Sequence, residues 1–303
     1  MNKTLSKDII LYLENEFKNS KLDYTRFFNE LKARYLALDI ALIYNYILET
    51  SDNARLISLT IREINRNKYI QNFSALLDFM LKTNDIDLKV LAIKTIPVFK
   101  DKKAVPALLQ CLKDKESNYK IRFAAADALG KIGDKNAFDA LGYVVCDEDE
   151  KSAYVKESAV VALGNLGDKR ALDVFSVIMS SNKMFLDKFS YLKERVVEAI
   201  SKLDASKETK AIEILEKSLL EPSSRVRISA IEALMNLETP KSYELILDRL
   251  QYDDDLEVRK NALVALYNLS DREILDKVVL GDYPFELKEF AKDLIKEYEE
   301  ENE

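Results

Sequence analysis

The sequence predicts an all-α solenoid of stacked helical pairs, and three observations carry that expectation. One motif recurs with spacings of 33, 34, 37, 34, 32 and 29 residues, counted from Leu88 through Ile121, Val155, Leu192, Val226 and Val258 to Leu287, a period that belongs to helical repeat arrays. Every copy carries apolar residues at helical spacing. Finally, 303 residues contain only 6 Gly and 5 Pro, too few breakers for an all-β or Gly-looped design.

In chain order, residues 1–50 read as an N-terminal helical cap. Its aromatic residues Tyr12, Phe17, Tyr24, Phe27, Phe28, Tyr35, Tyr44 and Tyr46 serve helix packing in this reading, with an aromatic binding pocket as the alternative. Residues 51–83 read as a degenerate repeat. Ala54-Arg55 stands 34 residues before Leu88-Lys89, but Ser58 and Arg62 occupy the positions where the other copies are apolar. Residues 84–298 hold about seven repeats, and 299–303 form an acidic tail expected to lose order after Glu299.

The repeats explain themselves position by position. Taking each start as position zero, positions four and eight are apolar throughout: Ala92/Ile96, Ala125/Leu129, Ala159/Leu163, Val196/Ile200, Ala230/Leu234, Ala262/Leu266 and Ala291/Ile295. Together they form one stripe of a helix, with a small residue where a neighbour packs closely. A second stripe follows each turn, as in Val105, Leu108, Leu109 and Leu112 or Ile212, Leu215 and Leu219. Position one is always basic (Lys89, Arg122, Lys156, Lys193, Arg227, Arg259, Lys288). Five residues before zero stands an acid in six copies (Glu116, Glu150, Asp187, Glu221, Asp253, Asp282). Such a carboxylate can cap the following helix and also reach the base of an adjacent repeat. The expectation is a structural ladder, with a functional basic strip as the alternative. Asp101, Asp134, Asp168 and Asp271 mark the turn after the helix. The Gly-Asp-Lys strings there read as helix caps, because no strand precedes and no Ser or Thr follows as in a phosphate loop.

These runs, strongest at Ile121 to Lys135 (IRFAAADALGKIGDK) and Val155 to Lys169 (VKESAVVALGNLGDK), resemble the HEAT-repeat family, specifically the short bacterial-type repeats also seen in phycobilin-lyase-like HEAT proteins. The resemblance covers about residues 84 to 298 and implies a right-handed α–α superhelix of HEAT-like or armadillo type. Members of that family are mostly scaffolds and binding proteins. Its enzymes use features this chain lacks: His-Glu metal motifs in deoxyhypusine-hydroxylase-like chains, and a basic groove with Trp in HEAT-like DNA glycosylases. This sequence has no His and no Trp.

The resemblance also implies that the second helix of each pair lines a concave face. On it, positions two, six and nine face solvent, and the expected partner-binding residues are Phe123, Asp127, Glu157, Val161, Glu198, Ile228, Glu232, Met235, Val264 and Tyr267. Position ten adds Asn165, Asn236 and Asn268, which can hydrogen-bond a peptide backbone or cap the helix end. The face reads as a mildly acidic groove with an apolar floor, suited to a basic amphipathic helix or an extended peptide. Alanine at Phe123, Ile228 and Tyr267 is expected to weaken capture without unfolding the chain. Met184 and Phe185, in an insertion near Ser180 to Lys188, are a secondary contact candidate.

Charge narrows the function classes. The net charge is −7 from 53 acids and 46 bases. From Asp282 onward nine acids face three lysines, or −6, which leaves −1 for the rest of the chain. A nearly neutral body has no footprint for nucleic acid or an anionic membrane. The N-terminus carries no apolar run of signal-peptide length, and no stretch approaches the roughly 20 apolar residues of a membrane span. Without His, triad catalysis and His-ligated metal sites are excluded, and the acidic strings CDEDE and DDDLE lack the Gly and spacing of a calcium loop. Cys111 and Cys146 read as buried free thiols, a usage that fits a reducing cytoplasm. The expectation is therefore a cytoplasmic, non-catalytic scaffold or adaptor that binds a protein or peptide, with no cofactor and no metal. The alternatives are an immunity or regulatory protein that occludes an enzyme or toxin and, less favoured, a HEAT-type lyase or DNA-repair enzyme.

Overall fold

A computed structural model describes residues 5–18, 23–180, 188–203, 209–269 and 273–301. Residues 181–187, with Met184, Phe185 and Asp187, and residues 270–272, with Asp271, lie outside them. The described residues are helices and turns, without strands.

The chain divides into two compact units, Met1–Ala137 and Phe138–Glu303. The first contains α1 (Lys7–Lys18), α2 (Tyr24–Arg34), α3 (Ala37–Thr50), α4 (Ala54–Asn67), α5 (Phe73–Lys82), α6 (Ile86–Thr95), α7 (Val105–Lys113) and α8 (Tyr119–Ile132). From α3 onward these form pairs whose second helices, α4, α6 and α8, pack side by side. The second unit contains α9 (Phe138–Cys146), α10 (Ala153–Leu166), α11 (Ala171–Ser180), α12 (Lys188–Ser201), α13 (Thr209–Ser218), α14 (Ser224–Leu237), α15 (Pro240–Tyr252), α16 (Leu256–Asn268), α17 (Glu273–Leu280) and α18 (Phe285–Glu301). Here the second helices α10, α12, α14, α16 and α18 form one row, and the first helices α9, α11, α13 and α15 another. α18 runs to Glu301.

The repeat positions do what their chemistry dictates. Positions zero, four and eight are buried in all seven copies, except that Ile295 near the chain's end is half-buried. In five copies the residue three before zero is the N-cap. Asp85, Asn118, Ser152 and Asp255 each accept a hydrogen bond from a backbone N–H of the first turn, at 2.9, 2.9, 3.4 and 2.8 Å, which satisfies a donor the helix leaves open. Twelve residues after zero the chain turns left-handed, at Gly133 and Gly167 but also at Lys100 and Glu238. Asp101, Asp134 and Asp168 then accept from the N–H two residues on, at 2.9, 3.0 and 3.1 Å, so these carboxylates cap turns.

The same two landmarks correct the register of the degenerate repeat. The N-cap of α4 is Asn53 and its left-handed C-cap is Lys68, so position zero is Leu56, not Ala54. Positions four and eight become Thr60 and Ile64, both fully buried. Thr60 tolerates the core because its hydroxyl donates to the Leu56 carbonyl at 2.9 Å, and position one of this repeat is Ile57, not a base.

Two rungs of the charge ladder are structural and share a direction, the base of one repeat reaching the acid of the next. Lys193 Nζ donates to both Glu221 oxygens at 2.7 and 2.8 Å, and Arg227 grips Asp253 through Nε and Nη2 at 3.0 and 2.9 Å. The arginines also cap the first helix of their own pair. Arg122 Nε donates to Leu112 O at 3.1 Å, Arg259 Nε to Leu250 O at 2.8 Å, and Arg227 Nη1 to Glu221 O and Pro222 O at 3.0 and 3.1 Å. Arg122, Lys193, Arg227 and Arg259 are thus committed to contacts within the stack.

Candidate protein-binding face

The expected binding residues divide between the two units. Phe123 and Asp127 lie on α8 of the first unit; the other eleven lie on α10, α12, α14 and α16 of the second. None of the thirteen is buried, although zero, four and eight on the same helices are, so each side chain points away from the packed stripe. On α8, Phe123 is half-buried, and Asp127 is held by Lys131 Nζ at 2.7 Å within the helix.

In the second unit, contacts between neighbouring second helices show that these positions share one face. Arg195 on α12 donates through Nε to Glu157 on α10 at 3.0 Å and pairs through Nη1 with Glu198. Lys202 Nζ reaches Asn165 Oδ1 at 3.3 Å, and Asn268 Nδ2 approaches Met235 Sδ at 3.9 Å. Lys260 Nζ lies 5.6 Å from the centroid of Phe290 and 2.8 Å from Glu257. Desolvation lowers the Arg195 pKa, but Glu198 and Glu157 outweigh it and hold the guanidinium above its ordinary value.

Arg195 changes the electrostatics of the face. Sequence reasoning counted Glu157 and Glu198 as carboxylates for a partner, yet both are partners of Arg195. Position three was outside the chosen columns; the signal was a base where the other copies of this unit have Ser158, Ser229, Asn261 and Phe290. The acidity left over comes from Glu194, half-buried, and from Glu232 and Asp293, both exposed. Asn165 and Asn268 bond across to neighbouring helices, while the caps of α10 and α16 are made by backbone N–H groups; helix capping is not their role.

The apolar floor is concentrated on two adjacent helices. Ile228 and Met235 on α14 and Val264 and Tyr267 on α16 are half-buried, with Val161 on α10 in the same state. Five rings of the aromatic N-terminal segment, by contrast, are engaged in packing. Phe27, Phe28 and Tyr44 are core residues in edge-to-face contact at 5.3 and 6.0 Å. Arg34 stacks over Tyr12 and Arg55 over Tyr24 at 5.5 and 5.1 Å. The open depression on this segment, about 500 Å³, is lined by Asp23, Thr25, Arg26, Asn29, Glu30 and Ala33 and holds no aromatic ring.

Among the described residues no group of three or more Cys, Asp or Glu side chains is placed to hold a metal ion. No described helix is long and apolar enough to cross a membrane.

Paired helices stacked through first-helix and second-helix rows define an α-solenoid. The chain belongs to the HEAT repeats family, which matches residues 73–151, 118–184 and 182–267. No curated protein matches it. Among solved structures it is similar to the complex of CpcE and CpcF of phycocyanin lyase from Nostoc sp. PCC7120, at 25% identity over 74% of this chain and 87% of that one, with a TM-score of 0.48. It is also similar to human deoxyhypusine hydroxylase in complex with glycerol, at 15% identity over 87% and 98%, with a TM-score of 0.38. An engineered protein matches at 19% identity over 75% and 96%, with a TM-score of 0.39.

Proposed function

We propose that the chain is a non-catalytic scaffold or adaptor that holds a partner protein or peptide on the second-helix face of its 138–303 unit. One observation carries this reading. Ile228, Met235, Val264 and Tyr267 stay half-exposed on two adjacent helices whose other stripe is fully buried, and such aligned apolar side chains mark a contact surface. Glu232, Asn236 and Asn268 are exposed beside them and supply a polar rim for a basic, amphipathic partner. The free thiols Cys111 and Cys146 fit a cytoplasmic setting.

The test is affinity capture with the wild type beside Ile228→Ala/Met235→Ala/Tyr267→Ala. These three share one unit, which Phe123 does not. A protein recovered in stoichiometric amount with the wild type and lost with the variant, at unchanged helicity, is the expected result. Recovery by both chains sinks the proposal, and so does unfolding of the variant.

A further inference from the structure

The two kinds of turn in the second unit differ in character. Turns from a second helix to the next first helix, 167–170 and 238–240, expose no large apolar side chain. From α13 onward the turns from first to second helix do so in three successive repeats, unlike the α9–α10 turn at 147–152: Leu220 after α13, Tyr252 at the end of α15, then Leu280 and Phe285 on either side of the α17–α18 turn, each between 72% and 85% exposed. Single exposed apolar residues need no explanation. A row of them at one structural position does.

The ladder makes this a row in space as well as in sequence. Arg249 Nη1 reaches Leu219 O at 3.5 Å, and Arg227 spans from Glu221 O to Asp253, so the turn bearing Leu220 is bound to the turn bearing Tyr252. Arg259 donates to Leu250 O at 2.8 Å while lying over the Tyr283 ring at 5.6 Å, which binds the Tyr252 turn to the one bearing Leu280 and Phe285. The exposed side chains are therefore one to three residues from bonded atoms on either side.

We propose that this turn edge is a second docking surface, for a polypeptide segment that combines lysine or arginine with apolar side chains. Charge selects that occupant. Segments 252–257 and 280–286 carry six carboxylates (Asp253, Asp254, Asp255, Glu257, Asp282 and Glu286) and no Lys or Arg. Arg227 neutralises Asp253 and also contacts Asp254 at 3.0 Å, and Lys260 pairs with Glu257. Asp282 and Glu286 are exposed beside Leu280 and Phe285. An open depression of about 460 Å³ adjoins them, lined by Glu273, Asp276, Lys277, Leu280 and Gly281. Lys277 pairs with Glu273 at 3.5 Å, so Asp276 is left to face a cation. A second copy of this chain would bring the same carboxylates against themselves, and an anionic lipid or nucleic acid would be repelled.

The experiment measures fluorescence anisotropy of two labelled peptides, one alternating leucine with lysine and one alternating leucine with glutamate. The wild type is expected to bind the lysine peptide at least roughly tenfold more tightly than the glutamate peptide. Leu220→Ser/Tyr252→Ser/Phe285→Ser should lose roughly tenfold or more, and Asp282→Asn/Glu286→Gln should lose affinity and flatten the salt dependence. Ile228→Ala/Met235→Ala/Tyr267→Ala should bind as the wild type does, which separates this surface from the second-helix face. Equal binding of the two peptides overturns the proposal, as does wild-type affinity in the serine variant or loss confined to the Ile228 variant. Sedimentation equilibrium supplies the last arm: a wild type that dimerises while the serine variant stays monomeric would make a second copy the occupant and overturn the basic partner.

Discussion

Replacing Asp253 by alanine attacks the best-buried rung of the ladder. Its side chain is 1% exposed, and it accepts from Arg227 at 2.9 and 3.0 Å, from the Asp255 backbone N–H at 3.0 Å, and lies 3.6 Å from Arg249 Nη1. Removing one partner of a buried ion pair costs about 3–5 kcal/mol, because the other charge is left without compensation. Arg227 would keep the Glu221 and Pro222 carbonyls and Asp254, which puts the expected cost near the low end, about 3 kcal/mol. In a repeat array that cost falls on one interface, between the α13–α14 and α15–α16 pairs. Urea denaturation followed by circular dichroism should show a lower midpoint. A cycle with Arg227→Met should return a coupling above about 1 kcal/mol. Glu289→Ala, which removes the exposed Lys292 pair, serves as the control and should leave the midpoint unchanged. If Asp253→Ala costs no more than that control, the ladder is not what holds consecutive repeats together.

Three further outcomes follow from local geometry. A Cβ at Gly164 would stand 2.8 Å from Ala199 Cβ and 3.0 Å from Ala199 O, so Gly164→Ala should push α10 from α12 and lower stability by about 1–3 kcal/mol in the same urea assay. Gly133 has φ of 75° and open space around its Cα, whereas Glu238 holds φ of 51° with a side chain; Gly133→Ala should destabilise and Glu238→Gly should stabilise, each by about 1 kcal/mol. Burial pushes both thiols up, at Cys111 against Lys89 and at Cys146 against Lys156. The sequence predicts buried thiols, but Cys111 is half-buried and Cys146 exposed; since only the thiolate alkylates, both should react with iodoacetamide more slowly than a free thiol at pH 8, with Cys146 ahead of Cys111.

Most of the fold was legible because the repeat writes each physical task at a fixed position: a buried stripe, a cap three residues ahead of it, a base beside it and an acid five residues before. Legibility failed where another residue can do the same task. Lys100 and Glu238 adopt the left-handed turn that only Gly133 and Gly167 announced. Thr60 fills a core position by satisfying its own hydroxyl, which hid the register of the degenerate repeat. The division after Ala137 left no mark either, since the motif copies on its two sides, from Ile121 and from Val155, both carry the A-L-G-x-x-G-D-K run. For the binding face, periodicity placed all thirteen residues off the core stripe but could not show that Arg195 occupies two of the carboxylates. The turn edge was missed because Leu220, Tyr252 and Leu280 lie at or just past the end of a first helix, where a periodic pattern does not distinguish an outward side chain from the last buried one.

The central claim is that the half-exposed apolar row on α14 and α16 binds a partner and is not part of the core. Isothermal titration of the captured partner against the wild type and Ile228→Ala/Met235→Ala/Tyr267→Ala, with the melting temperature of each recorded, tests it directly. At least roughly tenfold weaker binding at an unchanged melting temperature is the predicted result. Unchanged affinity, or a melting temperature that falls with affinity, would contradict it.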